Sequence, residues 1–184
     1  MGTLRNLIFL AAAAALPIGC ARAAASPPIA LTNDAGSAWT LSGQRGKAVL
    51  LTFGFTHCAD TCPATLAKLE RVSNEIDPNG RRVEIAFVTV DPQRDTARAL
   101  HEWLDRFETD RIVGLTGSPA RIAGVLSAYH IWAQPIPNDR GKRGYDMAHS
   151  TAIYFIDPSG RTRSIHDDAD SDAVISKAVS ELLD

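Results

Sequence analysis

The sequence predicts an α/β domain with a mixed central sheet flanked by helices. Three observations carry this expectation. Lys47 to Gly54 is a near-continuous apolar run, as a strand buried on both faces requires. Segments of strand and helical period alternate after it, and the chain closes on a strand, a turn, a second strand and a helix.

Ala38-Trp-Thr-Leu-Ser, followed by Gly43-Gln-Arg-Gly46, reads as a strand and a turn before the central strand. After it, Leu66, Leu69, Val72 and Ile76 recur at helical spacing. Pro63 suits the first turn of that helix, and Asp77-Pro-Asn-Gly80 stops it. Pro63 also biases Cys62 away from helical dihedrals, so regular helix is expected only beyond it, leaving Cys58 on a loop. Val83 to Val90 is the next strand, and Asp95 is the expected cap of a helix with core face Leu100, Trp103, Leu104 and Phe107. Ile112 to Leu115 is a short third strand. Ser118-Pro119 opens a helix reaching Tyr129. Residues 131–148, with Pro135, Pro137, Gly141 and Gly144, read as an excursion or loose hairpin. Ser150 to Asp157 is a strand, Pro158-Ser-Gly160 a turn, Arg161 to Ile165 its hairpin partner, and Asp170 to Leu183 the closing helix.

Alternation ending in β-hairpin-α is the order of a thioredoxin-like domain. The rival, a flavodoxin-like doubly wound sheet, needs a phosphate-binding glycine loop after its first long strand. Here Thr56-His-Cys-Ala-Asp-Thr-Cys62 follows instead.

At 184 residues, 45% apolar and 22% charged, the chain suits one soluble domain. A net charge of -2 with no Lys/Arg run gives no reason to expect nucleic acid. The N-terminus reads as an export signal: Arg5, an apolar run from Leu7 to Ile18, then A-x-A spacing at Ala21–Ala23 and Ala23–Ala25. The run falls short of the roughly 20 residues of a spanning helix. Leu16-Pro-Ile-Gly-Cys20 resembles a bacterial lipobox, so the chain is expected either as a released periplasmic protein or as one lipid-anchored at Cys20, at the membrane surface. The expected organisation is therefore a signal over 1–25, a Pro/Ser/Asn/Gly-rich tether over 26–37 and the domain over 38–184.

Processing leaves Cys58 and Cys62 as the domain's thiols. Four residues apart, they are a disulfide, a redox couple or a metal clamp. A structural disulfide across so short a loop adds little stability. They sit where a buried strand meets a helix N-terminus, which favours thiolates. Two thiolates without two further Cys or His ligands are too few for closed tetrahedral zinc, whereas thiolates with an imidazole suit Cu(I) and can also hold Cu(II). Of the imidazoles, His101 falls on a solvent face, His166 at the end of an outer hairpin and His130 at a helix end. His57 adjoins Cys58, but in an extended segment it points the other way. His149 precedes the strand from Ser150, and in a thioredoxin-like domain that entry packs beside the cysteine loop. A loop His is otherwise most often solvated or capping.

Four blocks then carry a more specific resemblance: Phe53-Gly-Phe-Thr-His-Cys-Ala-Asp-Thr-Cys-Pro63; Phe87-Val-Thr-Val-Asp-Pro-Gln-Arg-Asp-Thr96; Gly114-Leu-Thr-Gly117; and His149-Ser150 with Tyr154-Phe-Ile-Asp-Pro-Ser-Gly160. In this order, and covering most of residues 45–165, they resemble the Sco (SenC) family. The resemblance implies a membrane-associated copper-binding metallochaperone for the CuA centre of cytochrome c oxidase. It also implies Cys58, Cys62 and His149 as the copper ligands and the oxidase subunit carrying CuA as partner, with other copper carriers or thiol reductants beside it. Two positions depart from the family pattern. Ala59 stands where Pro usually follows the first Cys, and Ala148 where Asp usually precedes the ligand His, the nearest carboxylate being Asp146. Asp91 and Asp95 match family positions but read as turn and helix caps.

The alternative is a thiol-disulfide oxidoreductase of the cell envelope, with Cys58 and Cys62 as its redox-active pair. A dedicated oxidoreductase normally has two residues between its cysteines, against three here. A peroxiredoxin-like peroxidase would need one activated Cys after a Thr-Pro turn, a context absent from the sequence.

Overall fold

A computed structural model of the chain describes residues 25–107, 109–137 and 144–184. The expected signal, apart from Ala25, and the lipobox Cys20 lie outside the described residues. Nine strands and four α-helices are described: β1 Ala30–Asn33, β2 Ala38–Thr40, β3 Ala48–Gly54, α1 Thr61–Ile76, β4 Val83–Thr89, α2 Ala97–Leu104, β5 Ile112–Thr116, α3 Pro119–Ala128, β6 Ala133–Pro137, β7 Tyr145–His149, β8 Ile153–Ile156, β9 Thr162–His166 and α4 Asp172–Leu183.

Seven strands form one sheet in the order β2-β1-β5-β4-β3-β8-β9, and β6 and β7 form a separate two-stranded sheet. β3 pairs in parallel with β4, and β4 with β5, while β8 runs antiparallel to β3. This is the expected mixed sheet, and the fold is thioredoxin-like. Every residue of β3 is buried, the environment its unbroken apolar run demands. α1 packs against α4 and against β4, burying Leu66, Leu69 and Val72. α2 packs on β5 with Leu100, Trp103 and Leu104 buried, and the Trp103 ring stacks on Phe87 of β4 with centroids 5.2 Å apart. Tyr129, just past α3, meets Phe53 and Tyr154 and donates its hydroxyl to the Pro27 carbonyl.

Four expectations need correction. The 26–37 tether instead contributes β1, which lies between β2 and β5, with Thr32 and Asn33 paired to Thr116 and Leu115. Ile29 and Leu31 are core residues, so these hydrophobic side chains outweigh the polar flanks that suggested a linker. Asp95 does not cap α2; the cap is Thr96, whose side chain accepts from the Ala99 N–H. Cys62 is already helical, because α1 begins at Thr61. The strand expected from Ser150 starts only at Ile153, and His149 is the last residue of β7. The 131–148 excursion is the β6–β7 hairpin, with Ala133 opposite His149 and Pro137 opposite Tyr145; its residues 138–143 lie outside the described residues.

Candidate metal centre

β3 ends at Gly54, and the next residues turn out of the sheet to deliver Cys58 and Cys62 to the start of α1. A Cβ at Gly54 would lie 2.8 Å from Cys62 Sγ and 2.6 Å from Phe87 Cε2, so only glycine lets the thiol pack directly on the end of the strand. Asp60, the residue before α1, makes no side-chain cap hydrogen bond. Cys58 Sγ takes that place and accepts the Cys62 N–H at 3.3 Å. Sulfur therefore occupies the positive end of the helix, which stabilises it as a thiolate.

Both thiols are free, Cys58 half-buried and Cys62 buried. Their proton affinities diverge. Cys58 is lowered to about 6, chiefly because the Cys62 thiol hydrogen-bonds to it, with the Cys62 and Asp60 amides and His149 helping against the cost of burial. Cys62 is pushed up, first by holding the proton shared with Cys58 and then by burial. The pair thus carries one thiolate, on the more accessible sulfur.

The third group arrives on β7. His149 Nε2 stands 4.0 Å from Cys62 Sγ. Its other ring nitrogen, Nδ1, lies 2.8 Å from the Ser150 carbonyl, a contact that makes Nδ1 the donor and leaves the Nε2 lone pair facing the sulfur. The ring also meets Phe55 edge-on, with centroids 5.9 Å apart. Cys58, His57, Trp132, Met147 and His149 line one open cleft of about 640 Å³.

The remaining imidazoles stand apart. His101 is exposed beside Asp34 and Asp105, and His166 is held by Asp170 and Ser164 against Phe155. His130 is exposed with φ 53, closing α3 in the left-handed region. His57, on the exposed side of the cysteine loop, lies against Thr56 Oγ1 yet still borders the cleft. Among the described residues no three His, Cys, Asp or Glu side chains already form a metal-binding group. Cys62 and His149 are aligned with each other, while Cys58 is turned back to the helix.

Two ties in the surroundings go beyond the sequence reading, which takes Asp95 as a helix cap and gives Arg94 no role. Asp95 is fully buried and accepts from the Thr56 N–H (3.0 Å), Thr56 Oγ1 (2.7 Å) and Thr89 Oγ1 (2.7 Å), pinning the cysteine loop to β4. Arg94 donates to Asp91 and, at 2.8 Å, to the Tyr145 carbonyl, and its guanidinium lies 3.8 Å from the Tyr145 ring centroid. The sequence signal for both was an arginine flanked by two aspartates that each had an easy local explanation.

Fold and site together define a thioredoxin-like domain presenting a free C-x-x-x-C pair to an imidazole. The chain belongs to the SCO1/SenC family, whose model matches residues 20–184. It is 42% identical over 118 residues to the mitochondrial SCO2 homolog of Bos taurus, a stretch that is 63% of this chain and 44% of that one. The chain thus spans less than half the length of that relative. Among solved structures, Arabidopsis thaliana ScoI with copper bound superposes with a TM-score of 0.77 at 31% identity, covering 87% of this chain and 98% of that one. Bradyrhizobium japonicum ScoI with copper bound gives a TM-score of 0.74 at 33% identity, over 87% and 98%. No helix among the described residues is long and apolar enough to cross a membrane.

Proposed function

We propose that this chain is a copper-binding metallochaperone that serves assembly of the CuA centre of cytochrome c oxidase. Copper is its cargo, held by Cys58, Cys62 and His149. The observation that carries this reading is the 4.0 Å approach of His149 Nε2 to Cys62 Sγ beside the Cys58 thiolate, in a chain so similar to two proteins solved with copper bound. Two soft sulfurs and one imidazole match the ligand preference of Cu(I) and tolerate Cu(II). Cys58 Sγ, the thiolate at the start of α1, would supply the remaining donor; the other two donors already face each other. The client is the oxidase subunit carrying CuA. The chain works in the periplasm, released or lipid-anchored at Cys20.

Anaerobic Cu(I) titration of the mature protein, beside His149→Ala, tests the reading. One tightly bound copper per chain, weakened by the substitution, supports it. Absence of binding, with catalytic reduction of protein disulfides instead, overturns it in favour of the oxidoreductase. The mass of the mature N-terminus in a bacterial host distinguishes lipidation at Cys20 from simple cleavage.

A further inference from the structure

The two arms of the site belong to different sheets. Cys58 and Cys62 follow β3 of the main sheet, whereas His149 ends a hairpin that pairs only with itself. A two-stranded hairpin has little stability of its own in water. Something outside it must therefore set where β7 lies relative to the cysteine loop.

The turn Asp91-Pro-Gln-Arg-Asp95, between β4 and α2, touches both arms. On the cysteine side, Asp95 binds the Thr56 amide and hydroxyl, two residues before Cys58. On the histidine side, Arg94 binds the Tyr145 carbonyl at the first residue of β7, and the Tyr145 hydroxyl donates to Asp91 Oδ1 at 2.8 Å. Arg94 and Asp91 pair with each other, and the guanidinium sits between the Tyr145 ring (3.8 Å) and the Phe55 ring (5.9 Å). Phe55 in turn meets the His149 ring. The turn is itself rigid: Asp91 and Asp95 are buried, and the Asp91 carbonyl accepts the Arg94 and Asp95 amides.

We infer that Asp91, Arg94 and Asp95 are positioning residues, and that their turn is the common support holding the imidazole arm at its working distance from the thiolate arm. Arg94 acts on His149 through Tyr145, and Asp95 acts on Cys58 through Thr56. Planarity matters on the histidine side. A guanidinium can bind the Asp91 carboxylate and the Tyr145 carbonyl while stacking on the ring, whereas a lysine ammonium cannot replace that geometry. The copper part of the inference rests on the function proposed above; the mechanical part does not.

The test compares wild type, Arg94→Lys and Tyr145→Phe, with Arg111→Lys as a destabilised control remote from the site. Hydrogen exchange of the Tyr145–His149 amides is followed on the metal-free protein. Cu(I) competition affinity and the absorption and EPR spectra of the Cu(II) form are followed on the loaded one. Faster exchange across β7 is expected in Arg94→Lys and Tyr145→Phe. So are weaker copper binding, by up to roughly the 10-fold lower end of the loss seen when a group bonded directly to a ligand is removed, and a shifted sulfur-to-copper band. Arg111→Lys loses stability but keeps the exchange pattern of β7 and the spectra. Unchanged β7 exchange, or unchanged affinity and spectra in both variants, overturns the inference. A wild type that binds no copper but shows the exchange difference overturns the proposed function and leaves the mechanical support standing.

Discussion

Gly54 and Cys62 share a contact that no other residue pair at these positions could make. The end of β3 comes so close to the thiol that a methyl group at Gly54 would sit 2.8 Å from Sγ, with the Phe87 ring at 2.6 Å closing the other side. Gly54→Ala should therefore cost about 1–3 kcal/mol, the range for overpacking a well-filled core. Because Cys62 Sγ touches the strand end on one side and faces His149 Nε2 at 4.0 Å, the substitution should also disturb its alignment with His149. Denaturant unfolding measures the first effect and copper affinity the second; a neutral outcome in both would mean the strand end can retreat.

The unequal thiols predict unequal chemistry. With Cys58 lowered to about 6, its thiolate is the dominant form at neutral pH and is lost as pH falls through that value. Alkylation of the reduced, metal-free protein should modify Cys58 first, with a rate that reaches half its plateau near pH 6, while buried Cys62 stays nearly inert. Mass mapping of iodoacetamide-treated protein at a series of pH values checks this. In Cys62→Ala, which removes the thiol donor, the midpoint should move upward, since the largest cause of the lowering is the Cys62 thiol.

Stability at acid pH should depend on a pair far from the cleft. Asp77 and Arg111 are both buried; Arg111 Nη1 lies 3.1 Å from Asp77 Oδ2, and the Arg82 and Val83 amides donate to the same oxygen. Burial by itself would raise the Asp77 carboxyl, but these amides and the guanidinium outweigh it and hold it below its ordinary value. A carboxyl depressed in the folded state stabilises the fold above its unfolded value, about 3.9, and loses that contribution as pH falls below it. Arg111→Leu, which leaves the charge unpaired, should cost about 3–5 kcal/mol at pH 7 and distinctly less at pH 3. Urea unfolding at the two pH values reads the difference.

The elements that were legible in the sequence are those whose neighbours leave a mark on their own residues. β3 is covered on both faces, so it is apolar at every position. The core face of α2 repeats with the helix turn, so Leu100, Trp103 and Leu104 could be named. β1 left no such mark. Its four residues, Ala-Leu-Thr-Asn, are held by pairing with β2 and β5, and that partnership is invisible in a segment flanked by polar residues. Asp95 and Thr96 are both capping residue types side by side. Only the remote donors on Thr56 and Thr89 decide that the aspartate is claimed by the core and the threonine left to cap. The same holds at the site. C-x-x-x-C is local and visible, whereas the approach of His149 to Cys62 depends on how the fold brings β7 beside the cysteine loop. The tie between Arg94 and Tyr145 spans two loops and has no sequence period.

The position of β1 also bears on the order in which the sheet can assemble. Asn33 pairs with Leu115 and Thr32 with Thr116, so β1 cannot complete its pairing until β5, far along the chain, is in place. Until then Ile29 and Leu31 have no finished core to enter, and the side of β5 destined for β1 is an open sheet edge. β2 is thus tied to the rest of the sheet only through β1, and that side of the sheet closes by a contact between segments far apart in the chain.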